Sequence, residues 1–157
     1  MKGKSLFHII IASGFGSGFF PVAPGTAGAA LATALWYLLS LHVTVQSLFF
    51  ITIALILIFT VLGTWSSNVL APSWGEDPSR IVVDEMVGVW ITLVGAIGGI
   101  WWHILLAFVL FRLLDIYKPL GIRRMENIKG GFGVMMDDIL AGIYGLVLLI
   151  LLRCAIG

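Results

Sequence analysis

Five of the eight acidic residues in this 157-residue chain stand where carboxylates are costly. Asp84 and Glu85 sit in IVVDEMVGVW, Asp115 in FRLLDIYKP, and Asp137 and Asp138 in GGFGVMMDDILAG; each abuts or interrupts an apolar run. Glu76, Asp77 and Glu126 lie in polar connecting stretches instead. A charge at the centre of a membrane helix costs about 2.5–3.5 kcal/mol on insertion scales, so such residues need partners or a function. Three separate segments supply them. A convergent cluster would repel itself unless cations or protons offset it, which makes a divalent metal an economical partner.

Cations and glycines accompany the acids. Arg112, Asp115 and Lys118 recur at three-residue spacing, on one helical face, and Pro119 is a natural helix terminator. GFGSGFFPVAPGTAG, residues 14–28, joins five glycines to Ser17 and Thr26, so backbone amides and hydroxyls there could line an anion-binding turn before a helix. It lacks the GKS or GKT ending of a Walker loop, and close helix packing through small residues explains it equally well. KGGFGVMMDD, residues 129–138, reads as a second glycine turn leading into the last helix. Structural uses exist for each acid as well. Asp137 or Asp138 could cap the last helix, Arg112 with Asp115 could be an intrahelical ion pair, and Asp84 with Glu85 could be helix-start acids favoured by the macrodipole.

Other chemistries find no support. His8, His42 and His103 are scattered without zinc-ligand spacing, no GxSxG elbow is present, and Cys154 is the single cysteine, with no nearby histidine. A net charge of +1 argues against nucleic acid, which needs a sustained basic surface.

The elements that must position these residues are membrane helices. Hydrophobic residues make up 60% of the chain, charged ones 11%, and the mean hydropathy is +1.09. Residues 27–41 and 46–70, separated by HVTV, predict a helical hairpin; residues 85–97 and 101–117 predict a second pair broken at Gly98 and Gly99; residues 138–156 predict a last helix. Some are short, since 15 residues cover only about 22 Å of a ~30 Å hydrocarbon core. The basic, apolar N-terminus lacks a convincing cleavage site and reads as retained. With Lys2 and Lys4 cytoplasmic, two hairpins bring nearly every other charge back to the same face, leaving Arg153 across the membrane. The expectation is an all-α, compact integral-membrane bundle of five crossings, one domain over residues 1–157, with a polar active site on the cytoplasmic face. The sequence carries no signal of oligomeric state.

GFGSGFFPVAPGTAG, VVDEMVGVW, FRLLDIYKP and GGFGVMMDDILAG, in this order, resemble the blocks of the phosphatidylglycerophosphatase A family. The resemblance implies a small helical enzyme of the inner membrane that removes the terminal phosphate of phosphatidylglycerophosphate, in a magnesium-dependent reaction, to give phosphatidylglycerol. By position, the family acids fall on Asp84 and Glu85, on Asp115, and on Asp137 and Asp138, and the basic residue of the third block on Lys118. One departure is KPLGI, residues 118–122, where Gly121 stands at the place of an expected second proline. Under this expectation Asp84, Glu85, Asp137 and Asp138 hold Mg²⁺ directly or through water, and Asp115 is a further ligand or the base that activates water. Arg112 and Lys118 hold phosphate oxygens, Ser17 and Thr26 donate to phosphate, and Arg123, Arg124 and Lys129 meet anionic headgroups at the bilayer surface. The competing reading is a cation or proton transporter using intramembrane carboxylates, which acids bunched at one face disfavour. A CDP-alcohol phosphotransferase lacks its DGxxAR core here, and a purely structural subunit leaves the acids unexplained.

Overall fold

The computed structural model describes residues 2–156, the side chains from Ser5 onward. The side chains of Lys2 and Lys4, which anchor the sidedness expectation, lie outside the described residues. Six α-helices follow one another: α1 (Lys2–Ala12), α2 (Pro24–Ser40), α3 (Val45–Trp74), α4 (Val83–Val94), α5 (Trp101–Tyr117) and α6 (Gly130–Ile156). Short 3-10 turns at Ser17–Phe19 and Ile122–Asn127 precede α2 and α6, and no strand occurs among the described residues.

The hairpin boundaries follow local chemistry. Thr44 accepts from the Ser47 amide at 3.2 Å and so caps α3, Gly98 takes a left-handed φ of 69° between α4 and α5, and α5 ends as expected before Pro119. Gly121 adopts φ 87°, a conformation closed to proline, so the chain's departure at this position sets its own local path into the second 3-10 turn. The last helix corrects the expected boundary. It begins at Gly130 rather than 138, so the glycines of KGGFGVMMDD form its first turns, and Asp137 and Asp138 lie two turns inside it instead of capping it. The local cost of helical glycine, about 1 kcal/mol each, is offset by a close approach to α3. A Cβ at Gly131 would collide with the Thr64 carbonyl, and the Gly131 amide donates to Asn68 Oδ1 at 2.7 Å.

Helix α4 is the centre of the bundle, packed against α2, α3, α5 and α6, with ten of its 12 residues buried. Its contact with α6 is made by absent side chains. A Cβ at Gly142 would stand 2.5 Å from the Gly88 carbonyl oxygen, one at Gly145 would stand 2.6 Å from Thr92 Oγ1, and Thr92 donates across the interface to the Gly142 carbonyl at 3.0 Å. Asp84, Gly88 and Thr92 share one stripe of α4 at four-residue spacing, and Asp138 lies one turn before Gly142 on α6, so the crossing that joins the helices also joins their acids. On α5 the buried stripe is His103, Ala107, Phe111 and Asp115, again four apart, which turns Asp115 inward at the same end. The outer surface is apolar: Phe50, Leu57, Ile58 and Val61 on α3 and Val147 and Leu151 on α6 are exposed. Helices α3 and α6, at 30 and 27 residues, are long and apolar enough to cross a membrane. Such a surface on such helices marks a membrane protein.

Candidate active site

The starts of α2, α4 and α6 and the ends of α3 and α5 meet at one end of the bundle, and three carboxylates converge there. Ligand oxygens of Asp84, Glu85 and Asp138 all lie within 4.8 Å of one another. Asp84 and Glu85 occupy the first turn of α4, where the helix dipole favours negative charge. That helix-start role is real, yet it leaves oxygens without partners: Asp84 Oδ1, Glu85 Oε2 and Asp138 Oδ1 are buried and accept no hydrogen bond from the protein. Buried carboxylate oxygens in this state are costly, and three together compound the cost by mutual repulsion. Hard oxygen donors with free lone pairs fit a divalent cation such as Mg²⁺, which takes carboxylates and keeps open positions for water and phosphate.

The other two expected acids are held differently. Asp115 forms an ion pair with Arg112, the intrahelical pairing that the spacing allowed, while the Arg112 Nε is buried without a partner. Asp137 accepts from Lys118 Nζ at 2.8 Å and, through its other oxygen, from the Asp138 amide at 3.0 Å. Neighbours on a helix point about 100° apart, so Asp138 joins the carboxylate trio while Asp137 turns to the lysine. Lys118 also donates to Glu126. Desolvation works against its charge, but these two carboxylates outweigh it and hold the ammonium above its ordinary range. Its left-handed backbone, φ 49°, at the end of α5 places it there. Partial desolvation and then the nearby Asp137 raise the Asp77 carboxyl, which together with Glu126, Lys129 and Asp137 lines a cleft of about 80 Å³. Asp77 and Glu126 were set aside in the sequence because their stretches are polar, and no local spacing links either to Asp137.

The glycine block behaves in both of its expected ways. Gly18 and Gly28 pack against the Arg80 carbonyl and Val82, whereas Gly25, in the first turn of α2, faces the site: a Cβ there would stand 2.5 Å from Glu85 Oε1 and 3.5 Å from an Arg112 nitrogen. Thr26 follows it, in the same turn. Free amides at a helix start beside Arg112 are suited to an anion. Ser17 does not share this position, since its hydroxyl donates to the Gly14 carbonyl at 2.8 Å within the 3-10 turn. Arg123 and Lys129 are exposed at the same end and apart from the trio. Gly25→Ala is therefore expected to fold normally, because a side-chain tip can yield, but to displace Glu85; misplacement by about 1 Å costs ~100-fold in rate. Wild-type turnover by the purified variant would remove Gly25 from the site.

A family model described as phosphatidylglycerophosphatase A matches residues 10–153. A Bacteroides thetaiotaomicron protein with the provisional name phosphatidylinositol-3-phosphatase is 52% identical, with 100% of both chains covered. Phosphatidylglycerophosphatase A of Escherichia coli is 37% identical over 91% of this chain and 81% of its own, and that of Haemophilus influenzae 39% identical over 94% and 90%. No solved structure matches.

Proposed function

Because the chain belongs to the phosphatidylglycerophosphatase A family, we propose that its acidic end hydrolyses phosphatidylglycerophosphate to phosphatidylglycerol and inorganic phosphate. The observation that carries the reading is the trio of Asp84, Glu85 and Asp138, each with a buried, unpartnered oxygen, with Arg112 and Glu85 both close to Gly25 and Lys118 held by Asp137, the neighbour of Asp138. Asp84, Glu85 and Asp138 would hold Mg²⁺, which supplies charge neutralisation for the phosphate and a more acidic bound water. Arg112 binds phosphate oxygens through nitrogens not engaged by Asp115, and the amides of Gly25 and Thr26 add donors from the start of α2. Phosphate bound by Arg112 competes with Asp115 for the guanidinium, leaving the carboxylate free to take a proton from the attacking water. As the water oxygen bonds to phosphorus, the ester P–O bond breaks, the departing glycerol oxygen takes a proton from solvent water, and Asp115 returns its proton to solvent. Asp137 and Glu126 keep Lys118 charged, and its positive charge, held at Asp137 one residue along α6 from Asp138, offsets the negative charge of the transferred group.

We read the chain as one domain of the cytoplasmic membrane crossing it five times, with the acidic end facing the cytoplasm. Arg123, Arg124 and Lys129, exposed at that end, support this orientation and suit anionic headgroups. Neither the family nor the relatives above are transporters, and carboxylates gathered at one end do not make a path through a bundle.

Purified protein in detergent, given phosphatidylglycerophosphate with Mg²⁺, is expected to release phosphate and to stop when a chelator is added. Undiminished release in chelator would remove the metal from the mechanism. Faster release from phosphatidylinositol 3-phosphate, the substrate in the Bacteroides relative's name, would reassign the substrate while leaving the site in place.

A further inference from the structure

The end of the bundle opposite the acids holds a second cavity, mostly apolar in its lining, that phosphate hydrolysis does not use. The turn between α4 and α5, the start of α5 and the end of α6 form an open cavity of about 480 Å³, lined by Gly98, Gly99, Ile100, His103, Ile150, Arg153 and Cys154. That volume lies within the range of small-ligand sites. Arg153 Nη1 donates to the carbonyls of Gly95 and Ile97, the latter at 3.1 Å, which ties α6 to α4. Among the described residues, its Nη2 and Nε find no hydrogen-bond acceptor and no carboxylate pairs with it.

His103 lies beside Arg153 in the cavity lining. Its side chain is 96% buried, being 4% exposed. The Ile100 amide donates to its Nδ1 at 3.0 Å, which requires a lone pair there and so places the proton on Nε2. That Nε2–H is buried without a partner and reaches no open surface, so Arg153 is the side chain that presents free nitrogens to the cavity. The first amides of α5 add the positive end of a helix dipole. The uncommitted nitrogens of Arg153, close to the α5 start, call for an anion with acceptor oxygens.

The rim says where that anion comes from. Ile100 and Ile150 at the cavity and Trp101 beside it are exposed apolar side chains, and tryptophan favours the headgroup level of a bilayer. Among the described residues the cavity lining holds no carboxylate to receive an ammonium group. We infer that this cavity binds the headgroup phosphate of a phospholipid with net negative charge, from the leaflet opposite the acidic site.

Cys154, the single cysteine, is exposed at the cavity and reports its occupancy without reference to catalysis. Full-length protein in neutral-detergent micelles doped with phosphatidylglycerol should be alkylated by maleimide about tenfold more slowly than in micelles doped with phosphatidylcholine, the difference expected of one charge-assisted contact. Inorganic phosphate at millimolar concentration should give no protection. Arg153→Gln should abolish the lipid's effect. Because Arg153 also ties α6 to α4, Ile150→Glu is the second variant: it removes no buried contact and sets a competing carboxylate beside Arg153, and it too should abolish protection while phosphate release at the other end confirms folding. Equal alkylation in the two lipids, protection that survives in folded Ile150→Glu, or protection by inorganic phosphate alone would overturn the assignment.

Discussion

Asp138→Asn is expected to end phosphate release while making the protein more heat-stable in chelator, and Asp84→Asn should do the same. The two effects have one cause. Asp138 is 2% exposed and Asp84 6%, each with an oxygen that accepts nothing from the protein, and they share a 4.8 Å cluster with Glu85. Without a cation this arrangement is a desolvated gathering of like charge, so replacing one carboxylate by a neutral amide of the same shape relieves repulsion. In a chain of this size each kcal/mol relieved raises the melting temperature by about 2–4 °C. Activity moves the other way, because an amide neither balances a dication nor keeps the donor set. The loss should exceed the ~100-fold that even outer-shell partners of metals cost. Phosphate release from phosphatidylglycerophosphate and thermal unfolding in chelator are the two measurements. Near-wild-type release by both variants would sink the site assignment, and a fall in melting temperature would show that the carboxylates act as structural pairs. Stability gained at the expense of activity is the usual mark of a functional cluster.

Gly142→Leu should separate α4 from α6 and cost both stability and activity. The atoms a new side chain meets are the carbonyl oxygen and Cα of Gly88, at 2.5 and 3.1 Å from the position of the first added carbon, and backbone within a packed helix has no rotamer into which to withdraw. Overpacking of this kind costs about 1–3 kcal/mol, and more where backbone must move. Forcing the crossing apart also draws Asp138 away from Asp84 and Glu85 and breaks the 3.0 Å bond from Thr92 to the Gly142 carbonyl. Ile143→Leu, one residue along at an outward-facing position, should change neither quantity. A Gly142→Leu protein with wild-type melting temperature and turnover would show that the close crossing does not hold the trio together.

How far the site was legible depended on whether its signals were local. Asp84, Glu85, Asp115, Asp137 and Asp138 stood out because the penalty for a charge in an apolar run belongs to each residue and its immediate neighbours. Asp77 and Glu126 carried no such penalty, and only folding brings them beside Asp137 and Lys118. Gly25 was visible as part of a glycine block, but its task of leaving room for Glu85 is a contact between α2 and α4. The start of α6 was misplaced for the converse reason. Glycine is a local sign of a turn, and the packing of Gly131 on Thr64 that overrides it lies more than sixty residues away in sequence.

By itself, then, the amino-acid sequence determined that this is a helical membrane protein, where most of its helices run, and which five carboxylates need explaining, because hydropathy, turn preference and insertion cost act along short stretches of chain. Tertiary structure alone divided those five. It sent Asp138 to Asp84 and Glu85 and Asp137 to Lys118, and it left Asp115 with the Arg112 partner that three-residue spacing already offered, since the gathering of oxygens from separate helices is set by the Gly88–Gly142 crossing and by how the helices are turned, and that has no expression in the spacing of any one segment.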